Sequence, residues 1–141
     1  MSLLLSLERS LLQLLKNDDL CKKIEVSTSI RDGLNYPYVI LEIETFEKYH
    51  TQEIYRCNPA FVLYSKSKRE CLGILSSMHK TVDGHIVGGA YLFSPLEILR
   101  MHVQQTSNLG WKGTLFTEIY LTSISEDATS RTDMVLQEKS D

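Results

Sequence analysis

Leucines at positions 4, 7, 11, 12, 14 and 15 recur at helical spacing, with Glu8, Arg9, Gln13 and Lys16 on the opposite side. This pattern predicts an amphipathic helix over residues 2–16 that ends or bends at Asn17-Asp18-Asp19. Over residues 24–30 the β-branched Ile24, Val26, Thr28 and Ile30 alternate with polar positions, which predicts an extended run closed by an Asp32-Gly33 turn. Residues 36–47 give the clearest strand. Val39, Leu41 and Ile43 fall on one face, and Tyr38, Ile40, Glu42, Glu44 and Phe46 on the other. A polar stretch at 47–53 separates it from a second run at 54–64, so the pair reads as a β-hairpin with a long tip. Pro59 cannot donate to a ladder, and it marks an edge, a bulge or the start of regular pairing.

Ser67-Lys-Arg-Glu70 fits a capping box, in which the serine oxygen accepts the N3 amide and the glutamate returns to the serine amide. Cys71, Ile74, Leu75, Met78 and Val82 then follow at helical spacing until Asp83-Gly84 stops the helix. A glycine-containing stretch through Gly88-Gly89 leads into an extended run at 91–104, kinked at Ser94-Pro95. After a turn at 106–110, residues 111–124 alternate again, with Leu115, Thr117, Ile119 and Leu121 against Thr114, Phe116, Glu118 and Tyr120. The order is helix, hairpin, helix, strand, strand. It predicts an α+β fold: an antiparallel sheet with a long β-hairpin and helices packed on the sheet.

At 141 residues the chain suits one domain with a sizeable core. Its net charge of −3 is not spread evenly. The first 124 residues carry as many acidic as basic side chains. The surplus belongs to residues 125–141, where Glu126, Asp127, Asp133, Glu138 and Asp141 face only Arg131 and Lys139. The expected organisation is therefore a neutral domain over 1–124 and an acidic tail over 125–141, which lacks periodicity and is expected to be disordered. A balanced body has no global electrostatic attraction to nucleic acid or an anionic membrane. The leucine-rich start lacks a positive n-region and a small-residue cleavage site, so it reads as a helix rather than a signal or anchor. Cys21, Cys57 and Cys71, odd in number and without a CxxC, suggest free thiols in a reducing cytoplasm rather than a disulfide framework or a zinc site.

Catalytic signatures fail on residue type or spacing. His50, His79, His85 and His102 fall on different expected elements, without HExxH or CxxC. Gly84-His-Ile-Val-Gly88-Gly89 lacks the GK[ST] of a phosphate loop. The expectation is no enzyme, no cofactor and no metal; a small Cys/His enzyme is the less favoured alternative, since such partners need not be close in sequence. Two charged patches remain. Glu42 and Glu44, with Glu47 nearby, stand on one strand, and Lys66, Lys68 and Arg69 begin a helix, where the macrodipole disfavours cations. Either patch is explained by solvation alone. Alternatively, the acidic strand of one copy meets the basic helix start of the next. No aromatic residues interleave with the basic cluster around Lys66 in sequence, unlike single-strand nucleic-acid binders.

One further pattern is the order of short motifs. A leucine-rich helix precedes Tyr36-Pro37-Tyr38-Val39-Ile40. A strand ending in Tyr64-Ser65 then feeds an amphipathic helix, and Gly110-Trp111-Lys112-Gly113-Thr114-Leu115-Phe116 opens the last strand. Over roughly residues 3–124 this order resembles the tail terminator, or tail-completion, proteins of long-tailed phages, especially those of gene transfer agents. The chain departs from that pattern in having Tyr64 where Trp is frequent, and Lys66-Ser-Lys-Arg69 where the lead into the helix is less basic. The resemblance implies a structural protein that assembles as a ring, typically of six subunits, on the head-proximal end of the tail tube. Such a ring stops tube growth, joins tail to head and lets DNA pass through its opening without specific binding. The implied partners are the chain itself, the tail-tube protein and a head-neck stopper or connector protein, with no membrane involved. The implied location is the bacterial cytoplasm during assembly, then the tail-head junction of the particle. Another neck component, such as a head-completion or stopper protein, is the alternative. Expected contact residues are Tyr49, His50 and Gln52 at the hairpin tip, together with Glu42, Glu44, Lys66, Lys68 and Arg69.

Overall fold

The computed structural model describes residues 3–19, 21–30, 33–48, 54–87 and 92–122. The hairpin-tip residues Tyr49, His50 and Gln52 and the acidic tail over 125–141 lie outside the described residues. Helix α1 (Leu3–Lys16) forms where the leucine periodicity places it and buries Leu7, Leu11, Leu14 and Leu15. A single 3-10 turn, Cys21–Lys23, follows it. The extended run expected over 24–30 contracts to a short strand, β1 (Glu25–Ser27). Ile24 and Val26 pack against the core while Thr28 and Ile30 are exposed, so the β-branched alternation continued past the point where a buried face ends.

Strands β2 (Tyr38–Lys48) and β3 (Ile54–Ser65) form the long antiparallel hairpin. Helix α2 (Lys68–Val82) comes next, then β4 (Leu92–Phe93), β5 (Glu97–Gln105) and β6 (Trp111–Thr122). β6 inserts between β3 and the edge, so α2 carries the chain over the position that β6 later fills. β4 and β5 both pair with β6 on the side away from β3, and form two halves of one edge strand broken at Ser94-Pro95. The long strands are antiparallel throughout; β1 adds a parallel pairing to the first three residues of β2.

Both helices contact the sheet, and the main core lies between them and one of its faces. Val39 and Leu41 from β2, Cys57, Phe61 and Leu63 from β3, and Leu115, Ile119 and Leu121 from β6 meet Cys71, Ile74, Leu75, Met78 and Val82 of α2. All five expected α2 positions are buried, because a helix reveals its inner face by local periodicity alone.

Pro59 sits in a central strand, and of the three readings open to it the bulge is the one that holds. Pairing of β2 with β3 shifts between Ile43↔Pro59 and Phe46↔Cys57, so two residues of β2, Glu44 and Thr45, oppose Asn58 alone. Side chains repair the ladder that proline interrupts. Asn58 Nδ2 donates to the Thr117 carbonyl at 3.2 Å, and Thr117 Oγ1 donates to the Pro59 carbonyl at 2.7 Å. The bulge also switches faces. Phe46, expected beside Tyr38 and Glu42, packs instead against the main core, and its ring stacks on Tyr55 at 5.0 Å. The period-two rule fails there because the extra residue consumes half a period.

Candidate interaction surface

Among the described residues the second face of the sheet carries no helix, and the register sets its side chains in rows. Tyr38, Tyr64 and Lys112 form one row with Gln104; Ile40, Val62 and Thr114 form the next with His102; Glu42, Ala60 and Phe116 form a third with Arg100. Tyr38, Ile40, Ala60 and Val62 are buried here as a small second cluster, flanked by Leu34, Tyr64 and Phe116. Tyr36, Tyr38 and Tyr64 form an aromatic ladder with centroid spacings of 5.3 and 5.0 Å. Cations cover its far side. Lys112 Nζ stands 6.0 Å from the Tyr64 centroid, and the Arg100 guanidinium stands 4.3 Å from that of Phe116. Burial raises the Tyr64 hydroxyl pKa and the nearby Glu42 charge adds to the rise, so Glu42 shares the field of this ladder.

Glu42 and Glu44 are both exposed on β2, Glu44 within the bulge opposite Asn58. Glu47 joins Glu42 on the helix-free side, where its carboxylate pairs with Arg56. Lys66, Lys68 and Arg69 are exposed at the entry to α2. Ser67 caps that helix as expected, its hydroxyl accepting the Glu70 amide at 3.1 Å. The other half of the expected box is replaced. The Glu70 carboxylate accepts from the buried Ser65 Oγ at 2.7 Å, and the Ser67 amide donates to that same oxygen at 3.4 Å.

Aromatic side chains absent from the sequence around Lys66 arrive through the fold. Lys68 Nζ stands 5.5 Å from the Trp111 centroid, and Lys66 shares a cleft of about 230 Å³ with Tyr36, Asn108, Leu109 and Gly110. This end of the sheet is thus cationic and aromatic. The opposite end holds Glu44, Glu47, Glu97 and Glu118, the last accepting hydrogen bonds from Asn58 and Tyr120. The two patches do not meet within one subunit: Glu42 lies opposite Ala60, while Lys66–Arg69 lie beyond Ser65. Lys112, Arg100 and the aromatic ladder were missed as contact candidates. Alternation within each strand did place Tyr38 with Ile40, and Phe116 with Glu118, on second faces, but the strand order that joins them is not a local property.

The thiols are poor nucleophiles. Burial pushes Cys21, with help from the Asp18 charge, and Cys57 up to about 12, and it raises Cys71 as well. His79, His85 and His102 stay on separate elements, and His50 lies outside the described residues. Among the described residues no group of three or more His, Cys, Asp or Glu side chains is placed to hold a metal ion, and no helix is long and apolar enough to cross a membrane.

No protein-family model matches the chain, and no curated protein matches it. A solved structure does. A chain in the virion of a native gene transfer agent (GTA) particle aligns with a TM-score of 0.71 at 12% identity, over 83% of this chain and 95% of that one. At that identity the likeness establishes a shared fold, and it covers nearly all of the virion chain.

Proposed function

We propose that this protein is a structural component of a phage or phage-like particle. It forms a ring, of six subunits, on the head-proximal end of the tail tube, where it stops tube growth and joins tail to head. The fold shared with a gene transfer agent virion chain, over nearly that chain's whole length, carries the reading. The charge segregation supports it. Exposed Glu42 and Glu44 on β2 and exposed Lys66, Lys68 and Arg69 at the α2 start are separate on one subunit, and suit a heterologous contact that closes by rotation. In this contact the acidic strand of one copy meets the basic helix start of the next. The hairpin tip, with Tyr49, His50 and Gln52, reaches the same neighbour or the tail tube. DNA passes through the opening without specific binding, in keeping with a body of balanced charge.

The test is to add the purified chain to polymerising tail-tube protein from the same particle and to image the products. Tubes of limited length with a ring at one end are expected. Tubes that grow unchanged with the chain unbound overturn the reading. A ring found on the head or portal side of assembled particles replaces it with the stopper role.

A further inference from the structure

The sheet has two open edges of unequal character. Among the described residues nothing pairs with the outer side of β5 over its nine residues. On the other side β1 covers only Tyr38, Val39 and Ile40, so β2 from Leu41 to Lys48 is also open among the described residues. Exposed edges are templates for pairing, and proteins blunt them with lysine, proline or inward charge. β5 (EILRMHVQQ) has no lysine or proline. Every residue but Ile98 and Val103 is exposed, including Leu99 at 49% and Met101 at 48%. Its charge beyond Glu97 is the cation Arg100, whereas the open stretch of β2 carries Glu42, Glu44 and Glu47 against Lys48.

We infer that the β5 edge of one copy pairs with the open stretch of β2 in the next, continuing one antiparallel sheet from subunit to subunit. The topology favours this through strand parity. β2, β3, β6 and β5 alternate in direction, so β2 and β5 run opposite ways. A copy rotated about an axis along the strands keeps every direction. Its β2 therefore meets β5 antiparallel, the arrangement already used three times within the subunit. The same rotation keeps both helices on one side of the shared sheet. Each contact uses one β5 and one β2, so a closed ring leaves no edge of either kind exposed. Arg100 and His102 then stand beside the neighbour's glutamates. The α2 start lies at the end of the same edge, since Lys68 stands over Trp111 and Trp111 pairs with Gln105.

This inference rests on the ring reading but fails separately from it. Glu42 and His102 both project on the helix-free face, and the three native cysteines are buried. Full-length chain carrying both Glu42→Cys and His102→Cys is oxidised across concentrations up to millimolar and run on a non-reducing denaturing gel. A ladder extending beyond the dimer is expected. Each single variant should stay monomeric, and an equal mixture of the two singles should give disulfide dimers. Gln104→Cys in place of His102→Cys covers a register two residues further along. Oligomers in native mass measurements without a ladder from either double variant overturn the edge pairing and leave the ring reading standing. A chain that stays monomeric throughout also overturns it, whereas the ring reading falls only if tail tubes are not capped. Protection of β5 amides from hydrogen exchange in a monomer would assign that edge to another segment of the chain and overturn the inference as well.

Discussion

Asp18 ends helix α1 with a carboxylate that is 4% exposed and fully engaged. Its Oδ1 accepts from Ser77 Oγ at 2.8 Å and Thr81 Oγ1 at 2.6 Å, and its Oδ2 accepts the Cys21 amide at 2.9 Å. One side chain thus fastens the end of α1 and the 3-10 turn to α2. Burial alone would raise its pKa, but the hydrogen bonds from Thr81, Cys21 and Ser77 outweigh burial and hold it below the ordinary 3.8. A depressed folded pKa contributes stability that is complete above the unfolded value and is lost as pH falls through the folded one. Chemical denaturation should therefore show stability falling as pH drops below about 4, and Asp18→Asn should flatten that fall. Asp18→Ala should cost about 2–3 kcal/mol at neutral pH, since it leaves buried donors without an acceptor. An unaltered pH profile in Asp18→Asn would remove the carboxylate from this role. The sequence shows Asp18 only as a helix terminator, since its partners lie 59 and 63 residues away.

Helix α2 and strand β6 approach closely at Gly113. A Cβ built there would stand 2.8 Å from Cys71 Sγ and 3.3 Å from the nearest Leu75 methyl. Alanine normally stabilises a strand relative to glycine, so the sign of Gly113→Ala depends on whether α2 can retreat. α2 is fixed at its start by Ser67, Ser65 and Glu70, and at its far end by Asp18 through Ser77 and Thr81. The clash should prevail, costing about 1–3 kcal/mol in urea denaturation. Adding Cys71→Ala removes the obstructing sulfur, so the double variant should lose less than the sum of the two single losses. Strict additivity would show that the helix, rather than the sulfur, yields. The elements themselves were largely legible. The Ser67 cap, the five buried positions of α2 and the Ser94-Pro95 break all depend on residues within a few places of one another. The bulge in β2 was not, because its cause, Pro59, stands on the partner strand.

At the scale of the whole molecule, charge is balanced in sum over the first 124 residues but divided in space. Alternation and helical period gave both helices, β6 and β2 ahead of its bulge their inner faces, while the insertion of β6 between β3 and β5 depends on packing over long sequence separations. That insertion assembles the cationic, aromatic end from Tyr36, Tyr64, Lys68 and Trp111, which are scattered along the chain. The division of charge supports a test of the proposed subunit contact. Exposed ion pairs are worth about 0.2–1 kcal/mol each, so Lys68→Glu with Arg69→Glu should weaken assembly several-fold rather than abolish it. Raised salt should narrow the difference from the natural chain. A chain that also carries Glu42→Lys and Glu44→Lys exchanges the signs on both sides of the contact and should assemble again with itself. Mixed with the natural chain it should sort apart, because either mixed contact sets like charges together. Mass-tagged chains separated as intact rings measure this directly. Random mixing of the two chains, with unaltered assembly of the doubly reversed variant, would show that these patches only face solvent.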